Sequence, residues 1–232
     1  MEAVLSTGQT KPEDWQKLEG IYTNLEAKYP DAASIKNGHA EFLWSRGEER
    51  RAVDTWLAAE KLDPNSGVIL EHLGGSFLGA GEVKKAAAYF VRAIQSAPEN
   101  AAYHFSYANV AFLFRHELHD AAHPDSDAMA DEAMKHFAEA ARLQPHNAEY
   151  ARAFAETFYI LTKPDWQTAL RAWQHFYEVS PQKDFALVNL ARVQLKLGQK
   201  AEARASLEGV QGPEYRGIKE RLSQRAAEEL NY

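Results

Sequence analysis

The sequence predicts an all-α protein, an α-solenoid of about five helix–turn–helix units with an extra helix at each end. Three observations predict this class. Proline recurs at near-constant intervals, small and aromatic residues precede these prolines at fixed distances, and residues 68–98 read as two amphipathic helices separated by Gly81. Such a hairpin cannot bury its apolar side alone, so it needs similar hairpins on either side.

The recurring prolines set the length of the units. Intervals of 34, 34, 47 and 36 residues separate the prolines at positions 30, 64, 98, 145 and 181. Because proline disfavours helix at the residue before it, each one closes a hairpin. Ser66, Asn100 and Asn147 each follow a proline by two residues and are predicted N-caps. A smaller insertion at residues 162–165 carries Pro164, which we expect to open a helix.

Small and aromatic residues occupy matching positions in each unit. Ala86, Phe90 and Ala93 stand twelve, eight and five residues before Pro98. The same offsets in the other units hold Leu18, Tyr22 and Leu25; Ala52, Trp56 and Ala59; Ala133, Phe137 and Ala140; and Ala169, Trp173 and Phe176. Alanine lets two helices approach closely, and the aromatic ring fills the space that remains.

The predicted domain is a single solenoid over residues 12–230, preceded by a flexible tail at residues 1–11. Capping helices, each with one polar side, are expected at its two ends. The predicted segments are caps at 12–28 and 213–230 and repeats at 33–66, 67–100, 101–147, 148–183 and 184–212. Gly47, Gly81 and Gly198 are expected to form turns within the repeats.

The third repeat carries an insertion at about residues 116–128. We expect its first helix to continue to about Ala122. Asp125, Ser126 or Asp127 would then cap an extended second helix.

These features resemble the tetratricopeptide repeat (TPR) family, whose 34-residue unit has small, aromatic and proline positions at these offsets. The resemblance covers roughly residues 12–212, and the repeat at 67–100 matches best. The repeat at 33–66 departs from the pattern at Lys36 and His39, which stand at usually apolar positions. The resemblance implies a right-handed superhelix whose concave side is lined by the first helix of each repeat.

The resemblance also implies where a partner binds. By position, the concave groove would hold Asn37, Glu41, Trp44, Glu71, Phe105, Asn109, Phe112, Arg152, Glu156, Tyr159 and Arg192. Aromatic side chains mixed with charges suit peptide recognition, although the aromatics can equally pack against neighbouring helices. The implied function is a protein–protein interaction scaffold that binds a peptide or helical segment of an unidentified partner. A self-assembling module that forms homo-oligomers is an alternative.

Some members of the family bind acidic chaperone tails through lysine, arginine and asparagine side chains. The corresponding positions here are Asn37, Glu41, His72, Ala102 and Ser106, which supply no basic clamp. We therefore do not expect that mode of binding.

His116, His119 and His123 form the one metal-like cluster in the sequence. Their spacing would place all three on one helix face, where imidazoles can bind zinc, nickel or copper. A metal-linked sensor or carrier is thus a second alternative function. Because exposed helix histidines usually bind nothing specific and no further ligand is readable, we predict neither a metal site nor a cofactor.

Composition excludes several classes of function. The net charge of −7 disfavours nucleic acid binding, and the absence of cysteine excludes disulfides and thiolate metal sites. No apolar run reaches membrane-spanning length, so membrane insertion is not expected. Phosphate-binding glycine motifs and a readable catalytic arrangement are lacking, so the chain is not predicted to be an enzyme. A soluble location is expected: the cytoplasm is favoured, and the periplasm stays open if a signal peptide has been removed.

Overall fold

The computed structural model describes residues 12–120 and 122–227, and all regular structure within them is helical. The α-helices are α1 (Pro12–Lys28), α2 (Ala33–Ser45), α3 (Glu49–Leu62), α4 (Gly67–Gly79), α5 (Val83–Ser96), α6 (Ala101–Leu113), α7 (Arg115–Leu118), α8 (Ser126–Leu143), α9 (Ala148–Thr157), α10 (Trp166–Val179), α11 (Lys183–Lys196), α12 (Lys200–Glu208) and α13 (Arg216–Ala227), with a 3₁₀ turn at Pro213–Tyr215. The predicted all-α class is confirmed.

The helices group into two compact units, Met1–Pro98 and Glu99–Tyr232. Unit 1 contains α1 and the hairpins α2–α3 and α4–α5. Unit 2 contains the pair α6–α8, with the short α7 between them, the hairpins α9–α10 and α11–α12, and α13. A single solenoid over residues 12–230 stays a prediction. The predicted tail at 1–11 and the last residues of the C-terminal cap lie outside the described residues.

The turn glycines adopt the backbone conformation that their role requires. Gly47, Gly81 and Gly198 have φ angles of 75°, 78° and 74°, in the left-handed region that glycine enters without a Cβ penalty. Each directly follows the last turn of a first helix, where a left-handed residue ends the helix and reverses the chain. The predicted turns are confirmed.

The small and aromatic positions form the packing between helices. Ala86 and Ala93 are fully buried, and Phe90 between them is 3% exposed. In unit 2 the equivalent Ala169 and Trp173 are also fully buried, within a cluster formed by α9, α10 and α11. This repeated contact fixes the distance between the two helices of a hairpin.

Three predicted helix starts are confirmed in detail. The Asn100 side chain accepts a hydrogen bond from the Ala102 amide, Asn147 accepts from two amides of α9, and Asp125 accepts from two amides of α8. Ser66 occupies an N-cap position without a side-chain hydrogen bond. The prediction that Pro164 opens α10 is wrong. Asp165 is its N-cap and accepts hydrogen bonds from the amides of Gln167 and Thr168.

The predicted extension of α6 to Ala122 is wrong. The helix ends at Leu113, Phe114 leaves helical geometry with φ −110° and ψ 25°, and only the single turn of α7 follows. Asp120 then organises a tight turn, because its carboxylate accepts hydrogen bonds from the amides of Ala122 and His123 while its own amide donates to the His123 carbonyl. Aspartate stabilises such local turns in competition with helix.

Candidate functional site

The first candidate surface lies on α2 and α4 of unit 1. The Asn37 amide donates to Glu41 Oε1 at 2.7 Å, and His72 Nε2 donates to the same oxygen at 3.0 Å. The Asn37 side chain is oriented by a core residue, because the indole of Trp56 donates to its Oδ1 at 3.0 Å. Trp56 is 2% exposed, so a core side chain fixes the orientation of a surface carboxylate. We call Asn37, Glu41 and His72 the unit 1 face.

Trp44 continues this surface by one helical turn beyond Glu41. Its ring centroid lies 5.6 Å from that of Trp56, and 39% of the residue is exposed. Trp44 also lines a cleft of 410 Å³ between the first turns of α3 and the end of α4. Glu71 on α4 was predicted for the same groove, and it is half-buried.

The side chains predicted on α6 contribute to packing. The Phe105 ring lies 4.6 Å from Tyr150 and 5.8 Å from Phe137, and it packs against a cluster that contains residues of α8 and α9. Asn109 donates to the Phe105 carbonyl at 2.9 Å, one turn earlier in the helix. Phe112 lies 6.1 Å from Phe137 and is covered by Arg115. These aromatics are half-buried and join helices.

The second candidate surface lies on α9 and α11 of unit 2. Arg152 Nε donates to Glu156 Oε1 at 2.9 Å, across one turn of α9. The guanidinium carbon of Arg152 also lies 4.8 Å from the centroid of the Phe185 ring on α11. This contact combines a cation with an aromatic face and limits the rotamers of an exposed arginine.

A buried asparagine organises the rest of this surface. Asn189 is 1% exposed, and its Oδ1 accepts hydrogen bonds from the Tyr159 hydroxyl at 3.2 Å and from Arg192 at 2.9 Å. Its Nδ2 donates to the Phe185 carbonyl at 2.9 Å. Burial of the hydroxyl raises the pKa of Tyr159, an effect that the nearby Arg192 opposes, so Tyr159 remains a neutral donor. We call Arg152, Glu156, Tyr159 and Arg192 the unit 2 face.

Known proteins share the fold of this chain. Residues 185–211 match the family model of the tetratricopeptide repeat. YrrB, described as a TPR protein with an unusual peptide-binding site, superposes with a TM-score of 0.66 at 17% identity, covering 88% of this chain and 96% of that chain. The chain has the tetratricopeptide-repeat fold. The predicted helical-repeat class is thereby confirmed.

Two further solved structures share this TPR fold. PilF of Pseudomonas aeruginosa superposes with a TM-score of 0.64 at 14% identity, covering 90% of each chain. The protein MamA superposes with a TM-score of 0.60 at 14% identity, covering 86% of this chain and 97% of that chain. No curated protein matches the TPR chain significantly in sequence. Among residues 12–120 and 122–227, none of the helices has the length and apolarity needed to cross a bilayer.

Asn189, which connects the unit 2 face, was not among the groove residues predicted from the sequence. A pattern in the sequence could have identified it. Phenylalanine followed four residues later by asparagine occurs at Phe105–Asn109 and again at Phe185–Asn189, and both asparagines donate to the phenylalanine carbonyl. The sequence indicates His72 only as a counterpart of the chaperone-clamp positions, because it does not show that this side chain shares an acceptor with Asn37.

The prediction that the three histidines of the insertion share one helix face is wrong. His116 is exposed on the short α7, and His119 follows it in extended backbone with ψ 143°. His123 lies in the Asp120 turn, with Nδ1 3.2 Å from that carboxylate and Nε2 3.7 Å from Glu132. Within the described ranges, no group of three histidine, aspartate or glutamate side chains is arranged to hold a metal.

Proposed function

We propose that this TPR chain is a protein-interaction scaffold that holds an extended or helical segment of a partner protein against the first helices of its hairpins. The observation that carries the proposal is the unit 2 face. Two arginines and a tyrosine reach solvent there, and each is oriented by a neighbour: Arg152 by Glu156, and Tyr159 and Arg192 by Asn189.

Orientation before binding is the physical basis of the proposed function. A long side chain that is already held in one rotamer loses less conformational entropy when a partner binds. Arginine and tyrosine are also the residue types that most often dominate binding energy at protein interfaces. The TPR fold is consistent with a protein or peptide partner, and the description of YrrB as having a peptide-binding site supports the same reading by analogy.

The test compares two double variants of equal charge change. Arg152→Ala with Arg192→Ala removes the cations of the unit 2 face. Arg171→Ala with Arg204→Ala removes two exposed arginines from the second helices α10 and α12. Partners would be captured from an extract of the native cell, identified by cross-linking mass spectrometry, and remeasured by calorimetry with the purified partner.

We expect at least a tenfold loss of affinity in the Arg152/Arg192 variant and little change in the Arg171/Arg204 variant. Each hydrogen bond to a charged group contributes on the order of 1.5–3 kcal/mol, so losing one accounts for such a loss. Equal affinity of the two variants for the same partner would show that binding occurs elsewhere. The proposed function involves no catalytic step and no cofactor.

A further inference from the structure

We propose that unit 1 recognises a basic–apolar segment: a lysine or arginine of the partner pairs with Glu41, and a neighbouring bulky apolar side chain enters the cleft beside Trp44. The inference rests on the proposed function, since it names the partner chemistry of one of its two faces. Three observations support it: the carboxylate geometry, the cleft and the charge around it.

Glu41 is prepared to accept a cation. The two hydrogen bonds that it accepts from described residues, Asn37 and His72, end on Oε1, and 46% of the glutamate side chain is exposed. The second carboxylate oxygen is therefore the acceptor offered to a partner. Because Trp56 fixes Asn37 from the core, the carboxylate is held in one orientation before binding.

Trp44 connects the cleft with the helix that carries this carboxylate, α2. Glu41 and Trp44 are three residues apart and therefore share one side of the helix. Trp44 forms one wall of the 410 Å³ cleft, and Val53 and Phe77 are its further bulky apolar lining residues. A side chain of the size of leucine fits this volume.

Charge decides which class of segment fits. The cleft is bordered by three carboxylates, Glu49, Asp54 and Glu82, against one guanidinium, that of Arg50. Lys85 pairs with Glu82 at 3.5 Å, whereas Glu49 and Asp54 form no ion pair within the described part of the chain. Glu41 and Lys85 do not line the cleft; with both counted, this part of unit 1 carries four carboxylates and two cations, and the Lys85 ammonium lies 3.5 Å from the centroid of the Phe77 ring. A basic segment is attracted by this surplus, and a cation can also lie over the Trp44 ring.

The experiment uses three synthetic peptides and two matched variants. The probe is Ac-ARLARLARA-NH₂, and its controls replace arginine by the neutral isostere citrulline or leucine by alanine. Glu41→Gln removes the proposed acceptor. Glu13→Gln removes one exposed carboxylate of α1 and serves as the control. Affinity is measured by calorimetry at two salt concentrations, and circular dichroism checks that both variants fold.

The inference is supported if the arginine peptide binds the unchanged protein and the Glu13→Gln variant with the same affinity. Glu41→Gln should lower the affinity for this peptide at least tenfold. Each control peptide should bind the unchanged protein more weakly than the arginine peptide does, by a similar factor. Equal binding of the arginine and citrulline peptides would overturn the inference. So would equal affinity of the two variants, or no binding of the arginine peptide at millimolar concentration. The proposed function is judged separately, by partner capture with the unit 2 variants, so the two failures are distinguishable.

Discussion

At Gly74 the packing of unit 1 leaves no space for a single additional carbon. A Cβ atom built there would lie 2.8–3.0 Å from the Phe90 ring, whereas one at the neighbouring Gly75 would meet nothing within 4 Å. Gly74 is buried in the middle of α4 and Phe90 is buried in α5, so neither can move without disturbing the hairpin.

We expect Gly74→Ala to destabilise the protein by about 1–3 kcal/mol through overpacking. Gly75→Ala should be neutral or stabilising by up to about 1 kcal/mol, because alanine favours helix more than glycine does. Urea unfolding of the two variants provides the measurement. A Gly74→Ala protein as stable as Gly75→Ala would show that the ring at position 90 yields easily.

A hydrogen-bonded histidine pair joins α6 to α8. Nδ1 of His104 and Nδ1 of His136 are 2.7 Å apart, so one of them is protonated and donates to the other. Tyr107 of α6 packs edge-on to the His136 ring, and Glu132 of α8 lies 3.4 Å from its Nε2. Among the described residues, further ionisable groups near the pair are Lys135, Glu139, His123 and Asp120.

Burial, reinforced by His104, lowers the pKa of His136 below its usual 6.5, although Glu132 opposes the effect. The unfolded chain therefore binds a proton at higher pH than the folded chain. Stability is fully present above about pH 6.5 and falls as the pH drops towards the lowered value, by up to about 1.4 kcal/mol per pH unit for each proton taken up.

His136→Gln should reduce this pH dependence, while His146→Gln, at an exposed position, should keep it. The free energy of unfolding measured in urea between pH 7.5 and 5 tests this. An unchanged slope in His136→Gln would assign the acid sensitivity to other groups.

At the scale of a single helix, two predicted N-caps differ in the structure. The side chain of Asn147 accepts hydrogen bonds from the amides of Glu149 and Tyr150, whereas that of Ser66 accepts none. Asn147→Ala should therefore destabilise the protein by about 1 kcal/mol, and Ser66→Ala by a few tenths at most. Thermal unfolding monitored by circular dichroism compares them. Equal losses in the two variants would mean that backbone preference outweighs the side-chain bonds.

The hairpins were predictable because they depend on periodic features of the sequence. The repeat prolines, the turn glycines and the alanine–aromatic–alanine positions each indicate one local structure, and these local structures are consistent with the same hairpin. The insertion was not predictable in this way. Its path depends on hydrogen bonds from the amides of Ala122 and His123 to the Asp120 carboxylate. Such local hydrogen bonds compete with helix formation and produce no periodic pattern in the sequence.

The candidate site was predictable only in part. Counting positions placed Glu41 and Arg192 on first helices, as the structure has them. It also placed Phe105 on a first helix, α6, where its ring packs against Phe137 and Tyr150. A position in a repeat fixes the helix face but does not decide whether a large ring turns towards a neighbouring helix. Hydrogen bonds between repeats, such as His72 to Glu41, require coordinates.

At the scale of the whole molecule, each unit has a buried tryptophan at the same repeat position. Trp56 is 2% exposed in unit 1, and Trp173 is fully buried in unit 2. In a repeat protein each hairpin contacts mainly its neighbours, so stability is close to a sum over local terms. A cavity in one unit should therefore loosen that unit more than the other.

We expect Trp173→Ala to cost about 3–5 kcal/mol and to speed amide hydrogen exchange in α9, α10 and α11, while α2 to α5 keep their protection. Trp56→Ala is the reciprocal control and should affect α2 to α5 first. Exchange measured by mass spectrometry, peptide by peptide, separates the two outcomes. If either substitution raised exchange evenly along the chain, the molecule would unfold as one cooperative body and its stability would not be a sum over local terms.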